Sequence, residues 1–140
     1  GLGDVYKRQA KARELMEEFD VRGAGELIAG GDLSGGNQQK AVIAREIDRD
    51  PELLIVSQPT RGLDVGAIEY IRKRIIAERD KGKAVIVVSF ELDEILDMSD
   101  RIAVIYDGAI QGILDPAETN KQDLGILMAG GQLNKEEANV

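Results

Sequence analysis

Two short runs of purely apolar residues, separated by one helical segment, most constrain how this chain can fold. Residues 53–56 read Leu-Leu-Ile-Val and residues 84–88 read Ala-Val-Ile-Val-Val. Such runs, without alternating polar residues, are typical of parallel strands that are covered on both faces. Between them lies a helical pattern whose apolar positions are Ile68, Ile71, Ile75 and Ile76. A strand, a helix and a second strand in this order predict an α/β fold with a mostly parallel sheet flanked by helices.

Further helices and one hairpin are predicted on either side of this unit. The helical segments are residues 10–19, the segment from Ser34 to just before Pro51, residues 91–98 and residues 121–128. Asp107-Gly108 separates the apolar segments 102–106 and 109–114, and this dipeptide is typical of two-residue hairpin turns. We therefore expect a C-terminal β-hairpin between the last two helices.

The boundaries of the folded region are predicted from the ends of these patterns. Residues 10–130 are expected to form a portion of one domain, because the helical and strand patterns are continuous there. Residues 1–9 are interpreted as a non-native leader to which no structure is assigned. Residues 131–140 are predicted to be a disordered tail, since they are polar and terminal.

Composition excludes several classes of function. The 140 residues carry 18 Lys and Arg against 26 Asp and Glu, so the net charge of −8 has the wrong sign for a general nucleic-acid partner. The sequence contains no His, so no imidazole is available for acid-base catalysis near neutral pH. It contains no Cys either, and its longest apolar run of five residues is far too short to span a bilayer.

Ser34, Gly35 and Gly36 stand where the second helix should begin, and they suggest an anion site. A hydroxyl, unhindered backbone N–H groups and the positive end of a helix dipole would converge there, an arrangement suited to phosphate. Ser34 is also the expected N-cap of the helix. For these three residues alone, a merely flexible helix start is the alternative interpretation.

The flanking residues add a family resemblance. Residues 33–40 read Leu-Ser-Gly-Gly-Asn-Gln-Gln-Lys, and residues 59–64, after the first apolar run, read Pro-Thr-Arg-Gly-Leu-Asp. This order resembles the nucleotide-binding subunits of ABC transporters, with the signature motif in the form used by importers of simple sugars and nucleosides. The resemblance implies part of a P-loop NTPase domain, specifically the C-terminal part of the second of two tandem ATP-binding domains, with the nucleoside branch favoured. The Walker A pattern G-x-x-x-x-G-K-[ST] does not occur in the sequence, so that part is expected upstream.

Three positions depart from the family pattern. Ser57 and Gln58 stand where the Walker B strand normally ends in two acids, and Phe90 stands where the switch region normally carries His. The lost carboxylates would hold Mg²⁺ and accept a proton, so the resemblance implies a degenerate hydrolytic site in this half and an isolated fragment without activity. The alternative is that Ser57 and Gln58 simply finish a strand while Phe90 packs in a core.

The intact signature implies a role in a neighbouring site. In this family each ATP lies between the Walker motifs of one domain and the signature of the other, so the expected ATP contacts in trans are Ser34, Gly35, Gly36 and Gln38. Asp64, in the D-loop, would couple the two sites, although capping the next helix is an alternative role for it. ATP and Mg²⁺ are the expected ligands of the full-length assembly, and no metal site is expected within this chain itself.

The resemblance also implies the setting. The expected partners are the first ATP-binding half of the same polypeptide, transmembrane permease subunits and, indirectly, a substrate-binding lipoprotein, at the cytoplasmic face of a bacterial-type membrane. A non-transport ABC ATPase and a truncated binding or regulatory fragment are the alternatives. Because the apolar strands would lack part of their cover, we expect the chain by itself to be unstable or to aggregate.

Overall fold

The computed structural model describes residues 1–23 and 25–133 of the chain. These residues divide into two compact units, residues 1–88 and residues 89 onward. Of the predicted disordered tail, residues 134–140 lie outside the described residues, while residues 131–133 belong to no helix or strand. No helix in the described ranges has both the length and the apolar character that crossing a membrane requires.

The first unit is an α/β arrangement. Its elements are α1 (Leu2–Glu18), a short 3₁₀ turn (Gly30–Asp32), α2 (Gly35–Asp48), β1 (Leu53–Ser57), α3 (Val65–Asp80) and β2 (Ala84–Val88). Helix α1 begins at Leu2. Residues 2–9, to which we assigned no structure from the sequence, therefore form the first part of this helix. None of its 17 residues is buried. Phe19, directly after it, is buried.

β1 and β2 pair in parallel and in register from Leu53 opposite Ala84 to Ser57 opposite Val88, which confirms the parallel pairing. The prediction from the apolar runs that both faces are covered is wrong here, and the structure shows instead the incomplete cover that we expected for these strands in this chain by itself. Leu54 is buried, but Leu53, Ile55, Ile86 and Val88 are exposed, Ile55 to 61%. Because side chains alternate along a strand, the exposed positions of both strands share one face, and that apolar face is uncovered in the described structure.

Helices α2 and α3 pack against each other and supply most of the core of this unit. The buried positions of α2 are Lys40, Ile43, Ala44 and Ile47. Those of α3 are Ala67, Ile71, Ile75 and Glu78. Ile68 and Ile76, which the sequence placed on the same stripe, are only half-buried. Gly82 has a φ of +88°, the left-handed conformation in which a glycine commonly ends a helix, and it follows α3 closely.

A buried carboxylate stabilises the junction between α3 and β2. Glu78 is only 1% exposed, and its two oxygens contact Lys81 at 2.6 Å and Lys83 at 2.9 Å. Lys83 also binds Asp50, which precedes β1. Burial by itself raises the pKa of Glu78, but the hydrogen bonds from both lysines outweigh it, so the pKa lies below its ordinary 4.5. The cluster therefore stabilises the unit in its ionised form.

The second unit contains α4 (Leu92–Met98), β3 (Ile102–Tyr106), β4 (Ala109–Leu114), a 3₁₀ turn (Pro116–Glu118) and α5 (Lys121–Met128). Its core consists of Ile102, Val104, Leu124 and Leu127, against which Leu92, Ile95 and Leu96 of α4 pack. β3 and β4 form the predicted antiparallel hairpin. Asp107 and Gly108 both have positive φ, at 47° and 74°, as the predicted turn requires.

We predict that Glu78→Gln lowers the free energy of unfolding of the first unit by about 2 kcal/mol at neutral pH, because it removes charge-assisted hydrogen bonds. Since the folded-state pKa of Glu78 lies below its unfolded value, this stabilisation is present above pH 4.5 and is lost as the pH falls through the lowered pKa. The measurement is hydrogen exchange in urea of peptides that cover α3 and β2, at several pH values.

The matched control is Glu69→Gln, which removes the exposed Glu69–Lys73 pair from the same helix and should leave exchange unchanged. A difference between wild type and Glu78→Gln that persists well below pH 4 would contradict the assignment of this stabilisation to the ionised carboxylate.

Candidate anion-binding site

The first turns of α2 and α3 border a cleft of about 340 Å³ in the first unit. Its lining includes backbone and side chains from α2, from α3 and from the segment after α1. The residues are Asp20, Arg22, Ser34, Gly36, Asn37, Lys40, Asp64, Gly66, Ala67 and Tyr70. Two parts of the sequence that were singled out separately, residues 33–40 and residues 59–64, therefore meet in one cleft.

Ser34 is the N-cap of α2, as predicted. Its Oγ accepts a hydrogen bond from the Asn37 backbone N–H at 3.5 Å and a shorter one, 3.0 Å, from Asn37 Nδ2. Ser34 itself is exposed at the mouth of the cleft. The hydroxyl thus lies at the positive end of a 14-residue helix, where an anion is stabilised by the helix dipole and by free backbone N–H groups.

The two glycines after Ser34 have different surroundings. A Cβ built on Gly35 would meet only Leu63 Cδ2 at 3.9 Å, so this residue faces open space and its backbone is accessible. A Cβ on Gly36 would lie 3.1 Å from the Cβ of Ala67 and 3.6 Å from Asp64 Oδ2. Gly36 therefore allows α2 and α3 to approach closely, whereas Gly35 leaves room for a ligand.

The side chain of Gln38 does not point into the cleft, as a direct contact with a ligand there would require. Its Nε2 donates to the carbonyl oxygen of Leu33 at 2.8 Å, so the side chain folds back along its own motif. The residue is exposed, and it does not line the cleft. Its contact with ATP stays a prediction, and in this conformation its visible role is to hold the start of the helix.

Asp64 caps α3. Its Oδ1 accepts the backbone N–H of Ala67 at 3.0 Å, which confirms the capping role that the sequence left open. Because Gly36 brings the two helices together, the carboxylate also faces the cleft near the first turn of α2. The two roles are compatible, and coupling between sites stays a prediction.

Lys40 is a cleft residue that sequence reasoning did not single out. It is 8% exposed, its Nζ binds Asp20 Oδ2 at 2.8 Å and the Asp20 carbonyl oxygen at 3.0 Å, and it lies 4.6 Å from the centre of the Tyr70 ring. Hydrogen bonds from Lys40 and then from Arg22 lower the pKa of Asp20. Periodicity along α2 places Lys40 on the same face as Ile43, Ala44 and Ile47, which was the available signal.

Ser57 and Gln58, two of the three positions that depart from the family pattern, do not line the cleft. Ser57 ends β1 and is exposed, and Gln58 follows with a φ of +50° and a backbone N–H that donates to the Val88 carbonyl at 2.8 Å. Phe90 belongs to the second unit and is 73% exposed, so the alternative in which it packs in a core is wrong. Across the described ranges, no three acidic, His or Cys side chains form a metal-binding group.

Comparison with known proteins identifies close relatives. The chain is 72% identical over 135 residues to the nucleoside import ATP-binding protein NupA of Lactococcus lactis subsp. cremoris, covering 96% of this chain and 27% of that protein. It is 59% identical over 128 residues to the guanosine import ATP-binding protein NupO of Bacillus subtilis, covering 91% and 24%. The chain thus spans about a quarter of the length of these relatives. No family model matches the chain.

The solved structures give the same result for the fold. A dimeric structure of a bacterial ABC transporter cassette superposes with a TM-score of 0.68 at 26% identity, covering 79% of this chain and 48% of that one. The α/β fold predicted from the sequence is therefore confirmed as that of ABC-type ATPase domains. The described elements correspond to about half of such a domain.

We predict that alanine substitutions separate the roles of the two glycines. Gly35→Ala should leave the first unit as stable as before or raise its stability by up to ~1 kcal/mol, because alanine favours the helix and meets no obstacle. Gly36→Ala should be less stable than Gly35→Ala, because its Cβ presses on Ala67. Thermal unfolding, followed locally by hydrogen exchange of α2 and α3, measures both.

The control is the double variant Gly36→Ala with Ala67→Gly, which moves the methyl group from one helix to the other and should recover the packing distance. Equal stability of the two single variants would show that the close approach of the helices does not depend on Gly36.

Proposed function

From its homology to the nucleoside import ATP-binding proteins of ABC importers, we propose that this chain is the segment of such an ATPase that presents the signature motif to ATP. The observation that carries the proposal is the folded state of residues 33–40: Ser34 caps α2, Gly35 is open, and Asp64 borders the same cleft. The two acids that hydrolysis needs in this family are replaced in this chain by Ser57 and Gln58.

The chemistry of the cleft suits the terminal phosphate of a nucleoside triphosphate. The helix dipole, the hydroxyl of Ser34 and the unhindered N–H groups near Gly35 are directed at one place, and none of them requires a protonation change. Such a site stabilises negative charge that is presented to it by other groups. Ser34, Gly35 and Gly36 would therefore complete a site whose triphosphate is held elsewhere, and Gln38 would support the helix start or join the contact after a rotation.

Hydrolysis is assigned to the partner site. Ser57 supplies a neutral hydroxyl where a carboxylate would offset a metal charge, and Gln58 cannot accept a proton as a carboxylate can. Gln58 is further constrained by its left-handed backbone and its hydrogen bond to Val88. These residues do not fit a Mg²⁺ site by themselves, so in the full-length assembly Mg²⁺ and the attacking water would be held by groups outside this chain.

The proposal extends to the rest of the assembly. We expect a first ATP-binding half in the same polypeptide, permease subunits in the membrane and a substrate-binding lipoprotein that this chain does not touch, with the ATPase at the cytoplasmic face. The imported solutes would be nucleosides or, as the broader class, simple sugars, and the names of NupA and NupO favour nucleosides. A non-transport ABC ATPase and a regulatory fragment are the alternatives that the experiment must exclude.

The test uses a chimera in which this chain replaces the matching 135 residues of the Lactococcus lactis relative. We predict that the chimera restores labelled nucleoside uptake in cells that lack the native copy, and that it hydrolyses ATP when purified with the membrane subunits that it retains. Ser34→Arg should then lower ATP turnover by at least ~10²-fold, because its bulk blocks the anion contact.

Val42→Arg is the matched control, because it adds the same side chain at an exposed position of the same helix, two turns away. If Ser34→Arg retains turnover, the signature does not serve catalysis and the chain is a scaffold. If the chimera hydrolyses ATP but retains no membrane subunits and supports no uptake, a non-transport role takes the place of the proposed one.

A further inference from the structure

Asn37 contacts Ser34 with one side of its amide and the segment after α1 with the other. Its Oδ1 accepts the backbone N–H of Arg22 at 2.8 Å. A backbone N–H can only donate, so this bond fixes which side of the amide is oxygen. The Nδ2 group must then face Ser34, and it donates to Ser34 Oγ at 3.0 Å.

The direction of that bond determines what the Ser34 hydroxyl can do. Its oxygen accepts from Asn37 Nδ2 and from the Asn37 backbone N–H, so its lone pairs are used within the helix start. A hydroxyl has one further bonding direction, its hydrogen. No acceptor in the described part of the chain receives that hydrogen, and Ser34 is exposed at the cleft. The Ser34 hydroxyl is therefore oriented to donate its hydrogen into the cleft.

The segment that holds Asn37 is itself fixed. Lys40 binds both the carboxylate and the carbonyl oxygen of Asp20, and Arg22 Nε binds the second carboxylate oxygen at 3.0 Å. Asp20 has a φ of +49°, a backbone conformation that aspartate tolerates better than most residues do. Residues 20–22 are therefore held against α2 from Lys40 at one end to Asn37 at the other.

On the basis of the proposed function, we propose that Asn37 is a positioning residue: its amide, held by the N–H of Arg22, orients the Ser34 hydroxyl so that its hydrogen points at a phosphate oxygen. Asn37 does not touch the phosphate in this arrangement. Asn37 acts by donating hydrogen bonds to the Ser34 oxygen. The hydroxyl hydrogen of Ser34 then remains free to bond to a group in the cleft.

The test is Asn37→Asp in the chimera described above. The aspartate has nearly the same shape and can still accept the N–H of Arg22, but it turns an acceptor toward Ser34. The Ser34 hydrogen then bonds to residue 37 and is withdrawn from the phosphate. We expect ATP turnover at saturating ATP to fall by about 10²-fold, the usual loss for one donor to a reacting oxyanion. Hydrogen exchange across α2 should be unchanged.

Two controls separate orientation from charge. In a Ser34→Ala background there is no hydroxyl to turn, so Asn37→Asp should change turnover by no more than about 2-fold. Val42→Glu adds a negative charge to the same helix at an exposed position that is outside the signature motif and does not line the cleft, and it should leave turnover near that of the unsubstituted chimera. A loss of equal size in the Ser34→Ala background, or full turnover of Asn37→Asp alone, overturns the inference.

The proposed function and this inference fail in different ways. If the unsubstituted chimera turns over no ATP, or if Ser34→Arg retains activity, the proposed function is wrong and the positioning role falls with it. If the chimera is active, Ser34→Arg is inactive and Asn37→Asp behaves like the unsubstituted chimera, only the positioning role is wrong.

Discussion

The close approach of α2 and α3 at Gly36 and Ala67 is the constraint on which the rest of the first unit depends. It places the start of both helices at one cleft, so that Ser34 and Asp64, each the N-cap of its own helix, face the same space. The same packing buries Ile43, Ile47, Ile71 and Ile75 further along the helices. A side chain at position 36 would push the helix starts apart, and the cleft and the core would change together.

The sheet of the first unit is packed on one face only, unlike the closely packed helices α2 and α3. α3 packs against β2, and one face of the sheet is partly buried, but the other face exposes Leu53, Ile55, Ile86 and Val88. Solved ABC cassettes of this fold contain about twice the length of chain that matches here. The short parallel pair therefore derives its order mainly from α3 and from the ion cluster around Glu78, since hydrophobic cover is present on one side only.

Local chemistry could be predicted from the sequence, and contacts between distant residues could not. Both N-caps and the Asp107-Gly108 turn depend on a few consecutive residues, and the structure confirms them. The Lys40–Asp20 ion pair joins residues 20 positions apart, and the Asn37–Arg22 bond joins residues 15 apart, so neither has a sequence pattern. Exposure of the sheet face also depends on what covers it, which strand periodicity does not reveal. The significance of Ser57, Gln58 and Phe90 came only from the family resemblance.

The formal charges around the cleft cancel: Lys40 and Arg22 are matched by Asp20 and Asp64, and the cations are engaged by Asp20. Such a surface exerts little long-range field, and the chain as a whole is acidic. The attraction that remains comes from aligned dipoles and N–H groups, which act over a few ångströms. A phosphate would be recognised here only after another part of the assembly has carried it to the helix start. In the proposed function, the cleft would therefore act as a short-range sensor of a nucleotide that is already bound, with little response to ionic strength.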